Sequence, residues 1–188
     1  MKSIFRLAVL VFALLLSGPQ NNLCAQPQPR FHRSTLQAPK EIQGYRCAKG
    51  YVWFFSEGQL GRCTLVEESA FGEARIPGGS IVALRSDGTP DFVQLSHDSI
   101  VAGVRCSGGS WLGVAEGSVV AFYPTGKMRQ CFLAGDQTVQ GVPCMSGGFF
   151  GDGSGGGAKF HKNGKLESCR LTKDFGALKR GDRFVQAP

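Results

Sequence analysis

Helical patterning and long apolar runs are nearly absent from this 188-residue chain. Beyond the first 25 residues, no stretch repeats its apolar residues every three to four positions, as an amphipathic helix would. No stretch there is apolar over the roughly 20 residues that a membrane-spanning helix needs. Only 19% of the residues are charged, whereas glycine occurs 27 times. This composition favours many turns and short strands, and therefore an all-β fold.

Motifs for metal binding and nucleophilic catalysis are also missing. None of the three histidines, His32, His97 and His161, belongs to a His-x-x-x-His pair or a Cys/His pair with zinc-ligand spacing. The chain contains neither a Gly-x-Ser-x-Gly nor a Cys-x-x-Cys sequence. We therefore predict no catalytic residue, no metal site and no cofactor, and hence a protein that is not an enzyme.

Basic residues are in excess, but they are not clustered. The formal net charge is +7, and it falls to +5 without residues 1–25, which hold Lys2 and Arg6 and no acidic residue. The other lysines and arginines are scattered along the chain, which is typical of solvated faces. We expect no nucleic-acid partner.

The N-terminus has the three-part layout of a secretory signal peptide. Two basic residues precede an apolar run from Leu7 to Leu16, and a polar stretch then ends at the small residue Ala25. We predict cleavage after Ala25, and the alternative is a lipid anchor at Cys24. The mature protein is then secreted or periplasmic and meets a membrane only through the transient signal peptide.

A hairpin template recurs four times in the rest of the chain. In each copy a large apolar residue precedes a turn glycine by four positions, and a Cys-x-Leu or Val-x-Leu triplet begins five positions after that glycine. The apolar residues and glycines are Phe54 and Gly58, Leu84 and Gly88, Phe122 and Gly126, and Phe160 and Gly164. Turns such as Asp87-Gly88 and Asn163-Gly164 favour two-residue loops with positive φ at both central residues. The sequence predicts tandem antiparallel β-hairpins in an elongated or coiled meander sheet.

A two-residue loop also predicts which side chains share a face, because residues equidistant from the turn lie opposite each other. In the third hairpin, Val120 then pairs with Cys131, and Phe122 and Leu133 lie on the same face. The corresponding residues of the other hairpins are Val52, Phe54, Cys63, Leu65, Val82, Leu84, Val93, Leu95, Ala158, Phe160, Cys169 and Leu171. All are apolar, so we expect them to form the core.

Connectors of constant length join the hairpins. Thirteen residues separate corresponding positions in three places, namely Cys63 to Ile76, Val93 to Cys106, and Cys131 to Cys144. Counting back 13 from Cys47 reaches Ser34, where a half-unit is expected. We predict a signal peptide over 1–25, a polar linker over 26–33, about four repeat units over 34–172, and a C-terminal cap or tail over 173–188.

The six cysteines outside the signal peptide are disulfide candidates, namely Cys47, Cys63, Cys106, Cys131, Cys144 and Cys169. Pairing within units leaves none over and gives Cys47–Cys63, Cys106–Cys131 and Cys144–Cys169. In a flat meander, however, the two Cα atoms would lie about 9.5 Å apart, beyond the roughly 7 Å that a disulfide bridges. Pairing within units therefore requires the chain to coil or a short strand to fold over the sheet. The alternative is a Cys131–Cys144 bond across a connector.

Four acidic residues recur three positions after the repeat leucine, namely Glu68, Asp98, Asp136 and Asp174. We predict that their carboxylates accept hydrogen bonds from nearby backbone N–H groups in turns.

Aromatic residues outside the inward set provide the candidate binding surface, namely Trp53, Trp111, Tyr123, Phe149 and Phe150. Three of them lie in the glycine-rich insertions that follow Cys106 and Cys144. Aromatic rings beside such loops suit contact with a peptide or a glycan. The alternative is that they pack against the insertions.

The hairpin cores Phe122-Tyr-Pro-Thr-Gly-Lys-Met and Phe160-His-Lys-Asn-Gly-Lys-Leu resemble the bacterial variant of MORN-type repeats. In those repeats an aromatic strand leads into Asn/Asp-Gly-Lys-Leu. The resemblance covers the four hairpins, over about seven residues each. This chain departs from the pattern by its cysteines and its longer period. The resemblance implies elongated hairpin sheets that act as scaffolds or binding surfaces, and it carries over no catalytic residue.

Together these features predict an exported, non-enzymatic binding or scaffold module with a protein or polysaccharide partner in the cell envelope. One alternative is a small secreted hydrolase or inhibitor that acts through the glycine-rich insertions, and carboxylates clustered around His161 would support it. A purely structural envelope component is a third hypothesis.

Overall fold

The protein is all-β in a computed structural model that describes residues 31–109, 119–146 and 157–188. Within these ranges there is no helix, and hence none that could span a bilayer. The strands of its first half are β1 (Phe31–Leu36), β2 (Lys40–Ile42), β3 (Tyr45–Cys47), β4 (Gly50–Phe55), β5 (Leu60–Thr64), β6 (Ser69–Phe71), β7 (Ala74–Ile76), β8 (Ile81–Leu84) and β9 (Pro90–Gln94). Those of its second half are β10 (Ser99–Val101), β11 (Val104–Cys106), β12 (Val119–Phe122), β13 (Met128–Phe132), β14 (Gln137–Val139), β15 (Val142–Cys144), β16 (Gly157–Phe160), β17 (Leu166–Arg170) and β18 (Arg183–Val185).

Ten strands form one antiparallel meander in the order β1-β4-β5-β8-β9-β12-β13-β16-β17-β18. The other eight strands form four short hairpins, β2–β3, β6–β7, β10–β11 and β14–β15. Each short hairpin leaves the sheet between two of its strands. The connector of constant length is therefore itself a hairpin. In three of the four short hairpins, the turn has two consecutive residues at positive φ, for example Gln140 (48°) and Gly141 (87°). Two such residues form the tight two-residue turn that suits a hairpin.

The long hairpins of the main sheet turn differently from the expectation. In the third, Gly126 N donates to Tyr123 O (2.9 Å), Tyr123 N donates to Lys127 O (2.8 Å), and only the glycine has a positive φ (84°). This is a three-residue loop closed by a left-handed glycine, so the predicted two-residue turn is wrong. The register shifts by one residue between Ala121 and Phe122. Beyond this shift Ala121 pairs with Gln130, as a two-residue turn would also require, so the predicted register is confirmed there.

One face of the main sheet is buried by the short hairpins. Fifteen of the sixteen predicted inward residues are buried, and the exception, Phe54, packs against the core. The short hairpins contribute Phe71, Ile76 and Val101 to the same core, all fully buried. The meander is therefore one layer of a two-layer protein.

Two disulfides cross between the layers. Cys47 in β3 bonds Cys63 in β5, and Cys144 in β15 bonds Cys169 in β17, with Cα–Cα distances of 5.7 Å in both pairs. Pairing within units is thus confirmed for these two. The Cα atoms come this close because the short hairpin folds back over the sheet, instead of lying beside it as in a flat meander. Cys106 and Cys131 occupy the third pair of positions as buried, unbonded thiols.

The edges of the main sheet lie at the two ends of the described chain. β1 pairs with β4, with Ser34 opposite Val52, so a strand occupies the position of the expected half-unit. At the other end, β18 pairs with β17 and places Phe184 opposite Cys169. The C-terminal segment therefore supplies the last strand of the sheet.

A glutamine braces the long turn in the first and last units. Gln43 donates through Nε2 to Gly58 O (3.4 Å) and accepts from Leu60 N at Oε1 (3.0 Å). Gln140 makes the same two bonds to Gly164 O and Leu166 N, both at 2.9 Å. The third unit has Ala102 instead, and a cavity of about 190 Å³ lies between Ala102, Gly126 and Met128.

Replacing Ala102 by glutamine is expected to raise the free energy of unfolding by about 1 kcal/mol, the contribution of a new hydrogen bond from Met128 N, since Gly126 O already accepts from Glu73 N (3.2 Å). The new amide fits the cavity, and Ala102 already has the left-handed φ of Gln140 (48° in both). Equilibrium denaturation in urea measures the change. Gln140→Ala is the matched control and should lose a similar amount. A neutral or destabilising Ala102→Gln substitution would show that the bracing does not transfer between units.

Candidate functional site

The outer face is the side of the main sheet opposite the short hairpins. Strand register places one residue from each strand in a continuous row across it: Arg33, Trp53, Arg62, Ala83, Phe92, Ala121, Gln130, Lys159, Ser168 and Val185. This row contains three cations and no carboxylate. Its aromatic and basic residues are concentrated at the N-terminal edge.

Two arginines and two aromatic rings form a ladder at this edge. The Arg33 guanidinium carbon lies 4.4 Å from the ring centroid of Tyr51, and that of Arg62 lies 5.3 Å from the ring of Trp53. The two rings are neighbours, with centroids 6.1 Å apart. Tyr51 keeps 55% of its surface exposed. We call Arg33, Tyr51, Trp53 and Arg62 the aromatic–arginine ladder.

Phenylalanine extends the apolar surface beside the ladder. Phe31 packs against Phe55 with ring centroids 4.4 Å apart, yet it remains 54% exposed. Its ring lies over Gly61, where a Cβ atom would come within 2.7 Å of Phe31 Cε1. Glycine at position 61 therefore leaves room for this ring.

Tyr123, the second predicted surface aromatic that the structure describes, has a structural role. Its hydroxyl donates to Phe160 O in the next long hairpin (2.8 Å). Arg85 occupies the same repeat position and donates to Phe122 O (2.9 Å). Side chains at this position therefore tie one hairpin to the next. Trp53 and Tyr123 lie four strands apart, about 19 Å, so they do not form one site.

His161 occupies that repeat position in the last hairpin. Its Nε2 lies 2.8 Å from Gln186 O, and its Nδ1 lies 4.0 Å from the Glu167 carboxylate. One ring nitrogen therefore faces β17, and the other faces the residue that follows β18. In the described ranges, no three His, Cys, Asp or Glu side chains are grouped so that they could hold a metal ion.

Three of the four recurring acids bond backbone N–H groups, as predicted. Asp98 accepts from Gly108 N (3.0 Å), Asp136 from Ser146 N (2.8 Å) and Asp174 from Arg180 N (2.9 Å). The Arg180 N–H and the Lys179 ammonium lower the pKa of Asp174. Glu68 instead faces Arg75, at 3.7 Å. The first two aspartates close the ends of their short hairpins.

Three predicted surface residues, Trp111, Phe149 and Phe150, lie outside the described residues, as do most of the two glycine-rich insertions. The hydrolase or inhibitor hypothesis depends on those insertions.

Sequence reasoning missed Arg33, Tyr51 and Arg62. The signal for Tyr51 was its position two residues before Trp53, since alternate residues of a strand share a face.

Comparison with protein-family models, curated proteins and solved structures finds no match to this chain.

Proposed function

We propose that this chain is an exported, non-enzymatic binding or scaffold module that presents its outer face to a protein or polymer of the cell envelope. The observation that carries the proposal is the contrast between the two faces of the main sheet. The short hairpins and two disulfides cover one face, whereas the other keeps large exposed rings at Phe31 and Tyr51. Exposed aromatic residues on a rigid face are typical of contact surfaces.

The compartment is consistent with this role. Disulfides persist in oxidising surroundings such as the periplasm or the medium, and the two disulfides fit such surroundings. The signal peptide proposed over 1–25 would deliver the chain there. A rigid, stapled sheet suits a scaffold because binding then orders few residues.

Binding of the mature chain, residues 26–188, to washed cell-envelope material tests the proposal. A Tyr51→Glu substitution on the outer face is expected to weaken binding by about tenfold, since it removes an exposed ring of the contact surface. Ile100→Glu is the matched control, because Ile100 is 70% exposed on the short-hairpin layer. Cosedimentation measures both. Undiminished binding by the Tyr51 variant, or an equal loss in both variants, would contradict a role for the outer face.

A further inference from the structure

We propose that the aromatic–arginine ladder binds an acidic polysaccharide, whose uronate carboxylates meet the two guanidinium groups and whose sugar rings lie against the aromatic residues. This inference rests on the proposed function and names the chemistry of its ligand. Three observations support it, namely the stacking of the arginines, the lack of an ion pair at either arginine among the described residues, and the position of the ladder within the sheet.

Stacking prepares both arginines for a planar anion. A guanidinium held over an aromatic ring is attracted by the ring's negative face and keeps its N–H edge free for two parallel hydrogen bonds. Arg33 and Arg62 are both held in this way, over Tyr51 and Trp53 respectively. A carboxylate is the planar partner that matches such an edge.

The protein does not supply that carboxylate. The ion pairs of the described residues involve other cations, namely Arg46, Arg75, Arg85, His161 and Lys179. Neither Arg33 nor Arg62 forms one of these ion pairs. Arg62 Nε is buried, so a carboxylate from solution would meet the Nη edge of this guanidinium.

The position of the ladder favours a sugar polymer over a peptide. An extended peptide that adds to a sheet gains most of its affinity from main-chain hydrogen bonds at a free edge. Tyr51 and Trp53 lie on β4, whose two edges are already paired with β1 and β5. Tyr51 and Trp53 therefore offer only their side chains, whereas Arg33 lies on β1, the first strand in the sheet order. Aromatic planes and guanidinium edges suit a polymer that carries C–H faces and carboxylates on successive rings.

Calorimetric titration of the mature chain with polygalacturonate tests the proposal, with dextran as a neutral polymer and polyglutamate as an acidic peptide. We expect binding to polygalacturonate that weakens with added salt, and none to dextran. Arg62→Gln and Trp53→Ala should each weaken binding about tenfold, the effect of losing one charge-assisted contact or one ring. Arg75→Gln removes the same charge from the short-hairpin layer and should leave the affinity unchanged. Thermal unfolding of each variant verifies its fold.

Two results would overturn the ligand class. The first is polyglutamate binding as tightly as polygalacturonate, which would identify an acidic protein as the partner. The second is a failure to bind polygalacturonate while binding to envelope material still depends on Tyr51, which would leave the proposed function standing. Loss of both activities would overturn the proposed function as well. Equal effects of Arg62→Gln and Arg75→Gln would remove the ladder from the interaction.

Discussion

Replacing Phe122 by alanine is expected to lower the free energy of unfolding by about 3–5 kcal/mol, the range for a large aromatic residue in a core. Phe122 is fully buried in β12, and its ring meets that of Phe71 edge-on, with centroids 5.2 Å apart. Phe71 belongs to the β6–β7 hairpin. The pair therefore joins the main sheet to the covering layer, and the substitution would leave a cavity between them.

The matched control for this substitution is Phe92→Ala. Phe92 lies on the outer face, where it is only partly buried, so its truncation should lower stability by less than half as much. Urea denaturation followed by tryptophan fluorescence measures both variants. Equal losses would contradict the two-layer arrangement, because they would mean that the outer face is as well packed as the inner one.

The main sheet could be predicted from the sequence because its signal repeats. Each long hairpin places Val-x-Leu or Cys-x-Leu at the same distance from a turn glycine, and period-two alternation alone then assigns the inward face. Val93 and Leu95 show how robust this signal is, since both are buried although their unit has no cysteine. The apolar pattern, and not the disulfides, determines the register.

The turn type could not be predicted, because two alternatives place glycine at the same position. Both a two-residue loop and a three-residue loop with a bulge need a left-handed residue where Gly88 and Gly164 stand. The two loops differ in the backbone conformation of the residue before the glycine, and Asp87 and Asn163 are compatible with either loop. Asp87 accepts hydrogen bonds from the Thr89 N–H (2.9 Å) and hydroxyl, and these bonds belong to the three-residue form.

Cysteine pairing within units already required either a coiled chain or a short strand over the sheet, but the hairpins of the covering layer were not predicted because their strands have only three residues each. Three residues are too few to show alternation, and the turn residues Gln43, Ala102 and Gln140 are not typical of positive φ. The constant length of the connectors was the sequence signal of this layer. The candidate site was predicted only in part, because its residues lie on three different strands. Trp53 was recognisable as an outward aromatic, whereas its arginine neighbours come from other strands.

Under oxidising conditions the protein is expected to contain a third disulfide, between Cys106 and Cys131. The isolated bridges Cys47↔Leu65, Cys106↔Leu133 and Cys144↔Leu171 show that all three units have the same local register. Cys106 and Cys131 are fully buried, and the Cys106 thiol donates to Val104 O (3.5 Å). Oxidation of both thiols would release two protons and pass two electrons to the disulfide of an exported oxidoreductase. Non-reducing mass spectrometry of the protein purified without reductant should find these two residues linked.

The bond must form before the core closes. In the folded, reduced protein, the neighbouring Cys131 thiol and burial raise the pKa of the Cys106 thiol, so the reactive thiolate is scarce. We therefore expect protein that is folded under reducing conditions to oxidise this pair slowly, and unfolded chains to oxidise it fast. The bond spans the same 25 residues as Cys144–Cys169 and should stabilise the fold by about 3 kcal/mol.

The chain contains its own control for this bond. The second unit has Ile76 and Val93 at the two cysteine positions, and both are fully buried. A double variant, Cys106→Ile with Cys131→Val, should therefore fold and should lose about 3 kcal/mol against the oxidised parent. In reductant the difference should shrink, because neither protein then holds the bond. A Cys131–Cys144 linkage in the mass map, or free thiols at Cys106 and Cys131 in protein purified without reductant, would contradict the third disulfide. In the latter case the pair would act as a small apolar contact, as Ile76 and Val93 do.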